Sequence, residues 1–370
     1  MKPYLPEPLP LTSLNWSSLI RLVGQANASL ASYDGILQGI INPEVLLSPL
    51  TTQEAVLSSK IEGTQATLEE VLEFEASPER RTPRLEDIRE IINYRKAMGM
   101  AVEKLKERPI SLNFIRDIHA VLLDSVRGQY KSPGQFRTTQ NWIGRPGCSI
   151  EEAAFVPPVP SDLMGYLSNF ETYIHHDEED KLVQLAVIHA QLEIIHPFLD
   201  GNGRVGRILI PLFLYETKLL SKPMFYLSAY LEANRDAYYD RLQAVSAKKD
   251  WDGWVRFFLT AIIEQAKNNS EKAQAILALY EKIKKEVPVI TRSQYSVQAI
   301  DALFYKPIFT SAEFGTRSGI PKASAMRLLR ALRKKDILAP LLEGSGRRAA
   351  ILSFGELIEI VEGRKVVVHP

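Results

Sequence analysis

Twelve residues in the middle of the chain, HPFLDGNGRVGR from His196 to Arg207, gather groups that together could handle a phosphate ester. His196 is the only side chain among them that takes up a proton near neutral pH, which makes it the natural general base. Asp200 is a hard oxygen ligand, suited to a Mg²⁺ ion that keeps most of its waters and bridges phosphates. Asn202 tolerates unusual backbone angles and carries an amide that can bond a phosphate oxygen. Gly201 and Gly203 let the backbone approach an anion closely. Arg204 and Arg207, three apart, share a helix face and can fork onto phosphate oxygens. Pro197 and Phe198 shape and pack the turn. Singly, these are a capping histidine, a turn and a pair of solvated arginines. Their concentration in one short run favours chemistry.

Two helices must position this run. Upstream, KLVQLAVIHAQLEII has apolar residues at helical spacing (Leu182, Leu185, Ala186, Leu192) and ends as Pro197 arrives. Downstream, RILIPLFLYETKLL is apolar enough for a buried helix, with Pro211 bending it or delaying its regular part. The Gly201–Gly203 turn therefore opens a helix, so that its free backbone N–H groups and positive dipole end face whatever His196 faces.

The run resembles the signature of Fic-domain proteins, HxFx(D/E)GNGRxxR, and matches it at every defined position. The resemblance implies transfer of AMP from ATP to a Ser, Thr or Tyr hydroxyl of a target protein, or of the chain itself. In those terms His196 accepts the hydroxyl proton and Asp200 holds Mg²⁺ against the α- and β-phosphates. The turn Gly201, Asn202, Gly203 with Arg204 cradles the phosphates, and Arg207 reaches the γ-phosphate. Such a reaction asks mainly for positioning and charge neutralisation, which this inventory supplies.

Further segments extend the likeness. Gly134 to Arg137, then Thr138 to Gly144 and Phe155 to Pro158, resembles the family's β-hairpin flap, with Trp142, Ile143 and Gly144 as its edge for strand addition by a target. Trp142 to Phe155 is longer than a tight hairpin allows. Tyr238 and Tyr239 resemble the aromatic pair lining the family's adenine pocket, although paired tyrosines on a helix are more often core. Ser58-Ser59-Lys60-Ile61-Glu62-Gly63 fits the family's inhibitory pattern (S/T)xxxE(G/N), with Ser58, Glu62 and Gly63 as defined positions. TTQEAVLSSKIEG reads as the inhibitory helix, Thr51 or Thr52 at its N-cap and Gly63 past its end. This placement marks the subclass whose inhibitory helix is N-terminal. Glu62 set against Arg207 would then hold ATP out of its productive pose. In some relatives such a carboxylate activates water to remove AMP, and the sequence does not rank the two directions.

The frame around the site is that of an ordinary globular chain: 370 residues, 45% hydrophobic, 24% charged and a formal net charge of +1. That balance gives no global pull toward nucleic acid or membrane. Cys148 is the single cysteine, which excludes an intrachain disulfide and favours a reducing compartment. The proline-broken opening MKPYLPEPLPLTSL is no signal peptide, and no stretch reaches a membrane span, so a cytoplasmic location without membrane contact is expected. HHDEEDK, His175 to Lys181, reads as a solvated turn before a helix sooner than as a metal site.

The expected architecture is mainly α. Residues 1–108 form a helical region (Trp16 to Gln38, Thr51 to Glu75, Leu85 to Glu107) that contains the inhibitory helix at about 51–63. Residues 109–268 form the Fic core, a helical bundle with its short hairpin flap. Residues 269–285 form a linker helix, and residues 286–370 resemble a winged helix-turn-helix. There the turn at Gly319-Ile320-Pro321 separates two helices, and GSGRRAAILSF reads as a two-stranded wing. Lys322, Arg327, Arg330, Arg333, Lys334 and Lys335 on the second helix, with Arg347 and Arg348 in the wing, sit where phosphate contacts to DNA are made. Many winged helices bind protein instead. The competing readings are thus a self-inhibited AMP transferase, a DNA-binding regulator whose Fic domain senses nucleotide, and a relative transferring another phosphate-linked group. The family resemblance allows a homodimer and does not name the target protein.

Overall fold

The computed structural model describes residues 2–79, 82–124, 128, 130–145, 147–344 and 349–363. In chain order its helices are α1 (Trp16–Gly39), α2 (Pro43–Leu46), α3 (Ser48–Ile61), α4 (Leu68–Ala76), α5 (Leu85–Leu105), α6 (Leu112–Leu122), α7 (Leu163–Ile174) and α8 (Lys181–Ile195). They continue as α9 (Asn202–Glu216), α10 (Ser228–Ala233), α11 (Arg235–Lys248), α12 (Trp251–Thr291), α13 (Ser296–Tyr305), α14 (Ser311–Ser318), α15 (Lys322–Arg333) and α16 (Gly355–Glu362). Three short strands, β1 (Ile308–Thr310), β2 (Ala339–Leu342) and β3 (Ile351–Ser353), lie near the C-terminus. The protein is mainly α, and none of the described helices is long and apolar enough to cross a membrane.

The chain folds into two compact units. One comprises Met1–Asp34, Leu57–Gly63 and Ile92–Lys267; the other comprises Gly35–Val56, Thr64–Ile91 and Asn268–Pro370. In the first unit the central element is α8. Asp180 caps it, its carboxylate accepting from the N–H groups of Leu182 (2.9 Å) and Val183 (3.0 Å). That carboxylate is the last acid of the HHDEEDK run, whose role is thus a helix start. Among the described residues no group of three His, Cys, Asp or Glu could hold a metal. Thirteen of the fifteen α8 residues are buried, as an all-round apolar helix requires. It packs against α7, α9 and α11. Trp254, fully buried, donates its indole N–H to the Ala186 carbonyl at 2.7 Å and clamps the far side of α8. Pro211 does not end α9, which runs on to Glu216.

The helix that leads into Glu62 begins earlier than its threonines suggest. α3 starts at Ser48, so Thr51 and Thr52 lie inside it, and the Thr52 hydroxyl bonds back to the Ser48 carbonyl at 3.4 Å. A threonine that satisfies its hydroxyl in this way has no need to cap. The C-terminal end is where the glycine places it: Gly63 follows at φ +103°, a conformation open to glycine and strained for other residues.

In the second unit, α13, β1, α14, α15, β2, β3 and α16 follow one another around an antiparallel sheet of order β1-β3-β2. Ser353 of β3 faces Ile308 on one side and Ala339 on the other. Phe304, Phe309, Phe314, Leu332 and Phe354 fill the core beneath. Thr310 caps α14 and Gly319, at φ +67°, ends it before α15 begins. Arg347 and Arg348 lie outside the described residues.

Candidate active site

α8, the turn and α9 bring His196, Asp200, Gly201, Asn202, Gly203, Arg204 and Arg207 onto one short stretch of the first unit. His196 is the residue after α8 and takes the left-handed conformation, φ 48° and ψ 60°. That is a costly geometry for a residue with a side chain and persists only when neighbours over-determine it. Here its N–H donates to the Leu192 carbonyl at 2.9 Å, and its carbonyl accepts from Arg137 Nε at 2.9 Å. The ring is fixed as well: Nδ1 lies 3.2 Å from the Glu193 carbonyl oxygen. A carbonyl can only accept, so Nδ1 carries the proton and Nε2 keeps its lone pair. Burial pushes the imidazole pKa down to about 4, against the opposing pull of the Glu193 carbonyl and the Glu62 charge. At neutral pH His196 is therefore an uncharged acceptor, the state a general base needs.

The turn itself is tied by Asn202. Its amide oxygen accepts from Phe198 N (2.9 Å) and its amide nitrogen donates to Phe198 O (2.9 Å), so the side chain expected to reach a phosphate is engaged within the loop. Asp200, with 39% of its side chain exposed, takes a 3.2 Å contact from Arg204. His119, absent from the sequence argument, supports this turn from α6. Its Nδ1 accepts from Gly134 N (2.8 Å), which leaves Nε2 to donate to Asp200 O (3.0 Å), and its ring stacks on Phe198 at 3.8 Å. Burial lowers its pKa to about 4, so the neutral tautomer is stable. His119→Phe preserves the stack and strands both partners. A stranded group costs about 1–3 kcal/mol when fully buried; both of these are half-buried, which favours the lower end, so scanning calorimetry is expected to show a melting temperature lower by roughly 4–8 °C. An unchanged melting temperature would remove His119 from this role.

Arg207 is 1% exposed and is held by Ser58 of α3 and by Glu62 just past the end of that helix. Its Nε donates to Ser58 Oγ (2.8 Å), and its Nη2 donates to Ser58 O (3.0 Å) and to Glu62 Oε1 (2.6 Å). Burial alone would lower the guanidinium pKa, but Glu62, Tyr238 and Glu193 more than offset it and hold it up. Burial would raise the Glu62 carboxyl; Arg207, by charge and hydrogen bond, with Arg204 and His196, holds it below the usual range. Lys60 pairs with Glu232 at 2.8 Å and leaves Glu62 to the arginine. Gly203 makes the approach possible. A Cβ there would lie 2.3 Å from Glu62 Oε1, so any side chain would evict the carboxylate. A carboxylate seated over the first turn of a helix beside two arginines occupies an anion site.

The flap segment closes where Ile143 and Phe155 pair. Ile143 N donates to Phe155 O (2.8 Å), and Phe155 N donates to Ile143 O (3.0 Å). The residues between them include a short 3-10 turn at Ile150–Glu152, and the indole of Trp142, just before the bridge, donates to Cys148 O at 3.0 Å. Trp142 and Ile143 are about two-fifths exposed. At the flap's base Arg137, 3% exposed, donates to Pro158 O as well as to His196 O, joining flap and motif. Beneath lies a pocket of about 500 Å³ lined by Ile143, Gly144, Phe155, Glu193, Ile194 and Tyr239, among others. The tyrosine pair divides. Tyr239 faces the pocket, whereas Tyr238 is buried behind it with its hydroxyl 2.9 Å from His189 Nε2.

Residues 20–103 match the Fic/DOC family N-terminal model and residues 109–214 the Fic/DOC family model. The chain is 34% identical over 115 residues to a protein adenylyltransferase Fic of Drosophila grimshawi, 30% of this chain and 20% of that protein. It is 36% identical over 86 residues to a probable protein adenylyltransferase of Aquifex aeolicus, 23% of this chain and 27% of that one. The match thus spans about a quarter or less of those relatives' lengths. Its fold is similar to that of a Fic family protein from Desulfovibrio desulfuricans, with a TM-score of 0.60 at 17% identity, covering 95% of this chain and 98% of that one. A Fic domain containing signaling protein from Bacteroides thetaiotaomicron gives 0.54 at 18% identity, over 68% and 97%. With the two family models together covering just over half of its length and the signature turn folded as described, the chain belongs to the Fic/DOC family.

Proposed function

We propose that this protein transfers AMP from ATP to a hydroxyl of a target protein and is held off by its own α3. The observation that carries the reading is the Glu62 carboxylate on Arg207 at 2.6 Å over the α9 N-terminus, with a neutral His196 on the same turn. The triphosphate needs the seat that Glu62 fills, with its γ-phosphate on Arg207. When the seat is free, His196 Nε2 takes the proton of the target hydroxyl as its oxygen attacks the α-phosphorus. The bond from that phosphorus to the bridging oxygen breaks and diphosphate leaves. The planar base would lie in the pocket between flap and α11, against Tyr239. Asp200, an exposed oxygen donor, fits a hydrated Mg²⁺ shared with the phosphates, which would neutralise their charge. The names of the curated relatives agree with AMP as the group transferred. The test is incubation of wild type and Glu62→Gly with α-labelled ATP, Mg²⁺ and lysate, followed by intact-mass analysis of labelled protein. An adduct other than AMP would point to a different phosphate-linked group; no labelling by either protein would refute the transferase reading.

A second reading concerns the C-terminal residues. The order α13, β1, α14, α15, β2, β3 supports the reading of a winged helix-turn-helix, and α15 with the residues after it leaves Lys322, Arg327, Arg330, Lys334 and Lys335 exposed. Arg333 pairs instead with Glu343 at 3.2 Å. Contacts from exposed cations to duplex DNA release counterions, at a slope of about −0.9 in log K against log salt for each phosphate. Binding is expected to follow such a slope, and replacing Arg327 and Arg330 by Ala is expected to flatten it by about 2. A profile independent of salt would leave this unit to protein contacts.

A further inference from the structure

One carboxyl in the pocket has no part in the reaction described. Glu193 stands in the last turn of α8, and its backbone carbonyl already orients His196. Its side chain lines the pocket, and Oε1 is buried with no hydrogen-bond partner. Burial, together with the Glu62 charge, pushes its pKa up to about 7, against the opposing pulls of Arg207 and the Tyr238 hydroxyl. A buried acceptor left without a donor is costly, so a ligand that supplies one gains affinity there.

Its position decides which part of a nucleotide that donor is. Oε1 lies over Gly206, 3.0 Å from where a Cβ on that residue would stand, one turn from the anion seat at Gly203 and Arg207. The same pocket is lined by Ile143, Phe155, Ile194 and Tyr239, apolar and aromatic surfaces that suit a planar base, together with polar Arg235, Asp240 and Gln243. Glu193 thus sits at the seam between the place for phosphates and the place for the base. In a nucleoside triphosphate the ribose occupies that seam, and its hydroxyls are donors that a carboxylate accepts well, as in dinucleotide sites.

We propose that Glu193 is a specificity-determining residue that accepts a ribose hydroxyl and selects ribonucleotides over deoxyribonucleotides. The inference rests on the nucleotide-binding reading above. Calorimetric titration of the full chain carrying Glu62→Gly with ATP, 2′-deoxy-ATP and 3′-deoxy-ATP tests it. At pH 8, above the Glu193 pKa of about 7, ATP is expected to bind roughly tenfold or more tightly than the analogue lacking the hydroxyl that Glu193 reads, since a hydrogen bond to a charged group is of that size. Adding Glu193→Leu should bring ATP down to the affinity of that analogue and leave the analogue unchanged. Adding Glu193→Gln, which keeps an acceptor oxygen and the volume, should retain the preference. If ATP itself does not bind the Glu62→Gly protein, the nucleotide reading falls and this proposal with it. If ATP binds but all three bind alike, or the preference survives Glu193→Leu, only the ribose assignment is overturned. The same holds if Glu193→Leu weakens all three equally, which would mark a packing role. The comparison of nucleotides in the Glu62→Gly protein alone remains decisive should the leucine variant fail to fold.

Discussion

Glu62→Gly is expected to raise the incorporation of label from ATP into protein by roughly ten- to a hundredfold. A charge-assisted hydrogen bond contributes about 1.5–3 kcal/mol, and each ~1.4 kcal/mol is a factor of ten in an equilibrium or a rate. The side chain of Glu62 keeps 34% of its surface exposed, so solvent screening favours the lower end of that range. On the reading proposed above the gain follows from competition: the carboxylate holds Arg207 and lies 2.3 Å from where a Cβ on Gly203 would stand, over the turn assigned to the phosphates. The two Ser58 bonds to Arg207 survive the substitution, so the guanidinium stays placed for a ligand. Glu62→Gln keeps the volume and removes the charge, and an intermediate gain from it would separate electrostatic blocking from steric blocking. The measurement is the initial rate of labelling at subsaturating ATP. Equal rates for wild type and Glu62→Gly would show that Glu62 does not restrain transfer.

The contact between Glu62 and Arg207 was legible only through the family resemblance, since the short pattern alone reads more readily as a surface acid beside Lys60, although each of its positions has a local cause. Ser58 offers a hydroxyl and a carbonyl to the arginine, Glu62 offers the charge, and Gly63 allows the φ of +103° that ends the helix there. The helices on either side of the signature were legible too, since an apolar run closed by His196-Pro197 and reopened at a glycine turn leaves few alternatives. What stayed hidden depends on partners distant in sequence. His119 lies 81 residues from the Asp200 carbonyl it bonds, and nothing in an apolar helix such as α6 marks one buried histidine as the support of a loop. Glu193 carries no signal of its own in the sequence near the end of α8; only the pocket and its unpartnered oxygen give it meaning. The Asn202 amide and the Tyr238 ring show the opposite case. For Asn202 residue type, and for Tyr238 the resemblance against its helical pairing, suggested ligand contacts, while the fold turns both inward, one onto Phe198 and one onto His189.

His196→Ala, made in the Glu62→Gly background, is expected to lower the transfer rate by about 10²–10⁴, the range typical of a positioned general base. The alanine variant carries a structural ambiguity. Residue 196 is held at φ 48°, and a substitution that resists this geometry would disturb the turn as well as remove the base. Asparagine adopts left-handed angles more readily than most residues and cannot act as a base near neutral pH. His196→Asn therefore preserves the turn, and ATP should bind it within about threefold of the parent while transfer is lost to the same extent as in the alanine variant. The pH profile gives a second reading of the same group. Burial holds the His196 pKa at about 4, so its neutral form already dominates above that value. At saturating ATP, where titration of Glu193 near 7 no longer limits binding, activity that depends on this lone pair should rise at or below about pH 4, the Glu62 charge that pulls the value up being absent in this background, and not through the usual histidine range near 6.5. Loss of ATP binding in step with loss of transfer in His196→Asn would instead make His196 part of the nucleotide seat, and a substantial rate surviving in both variants would place the base elsewhere.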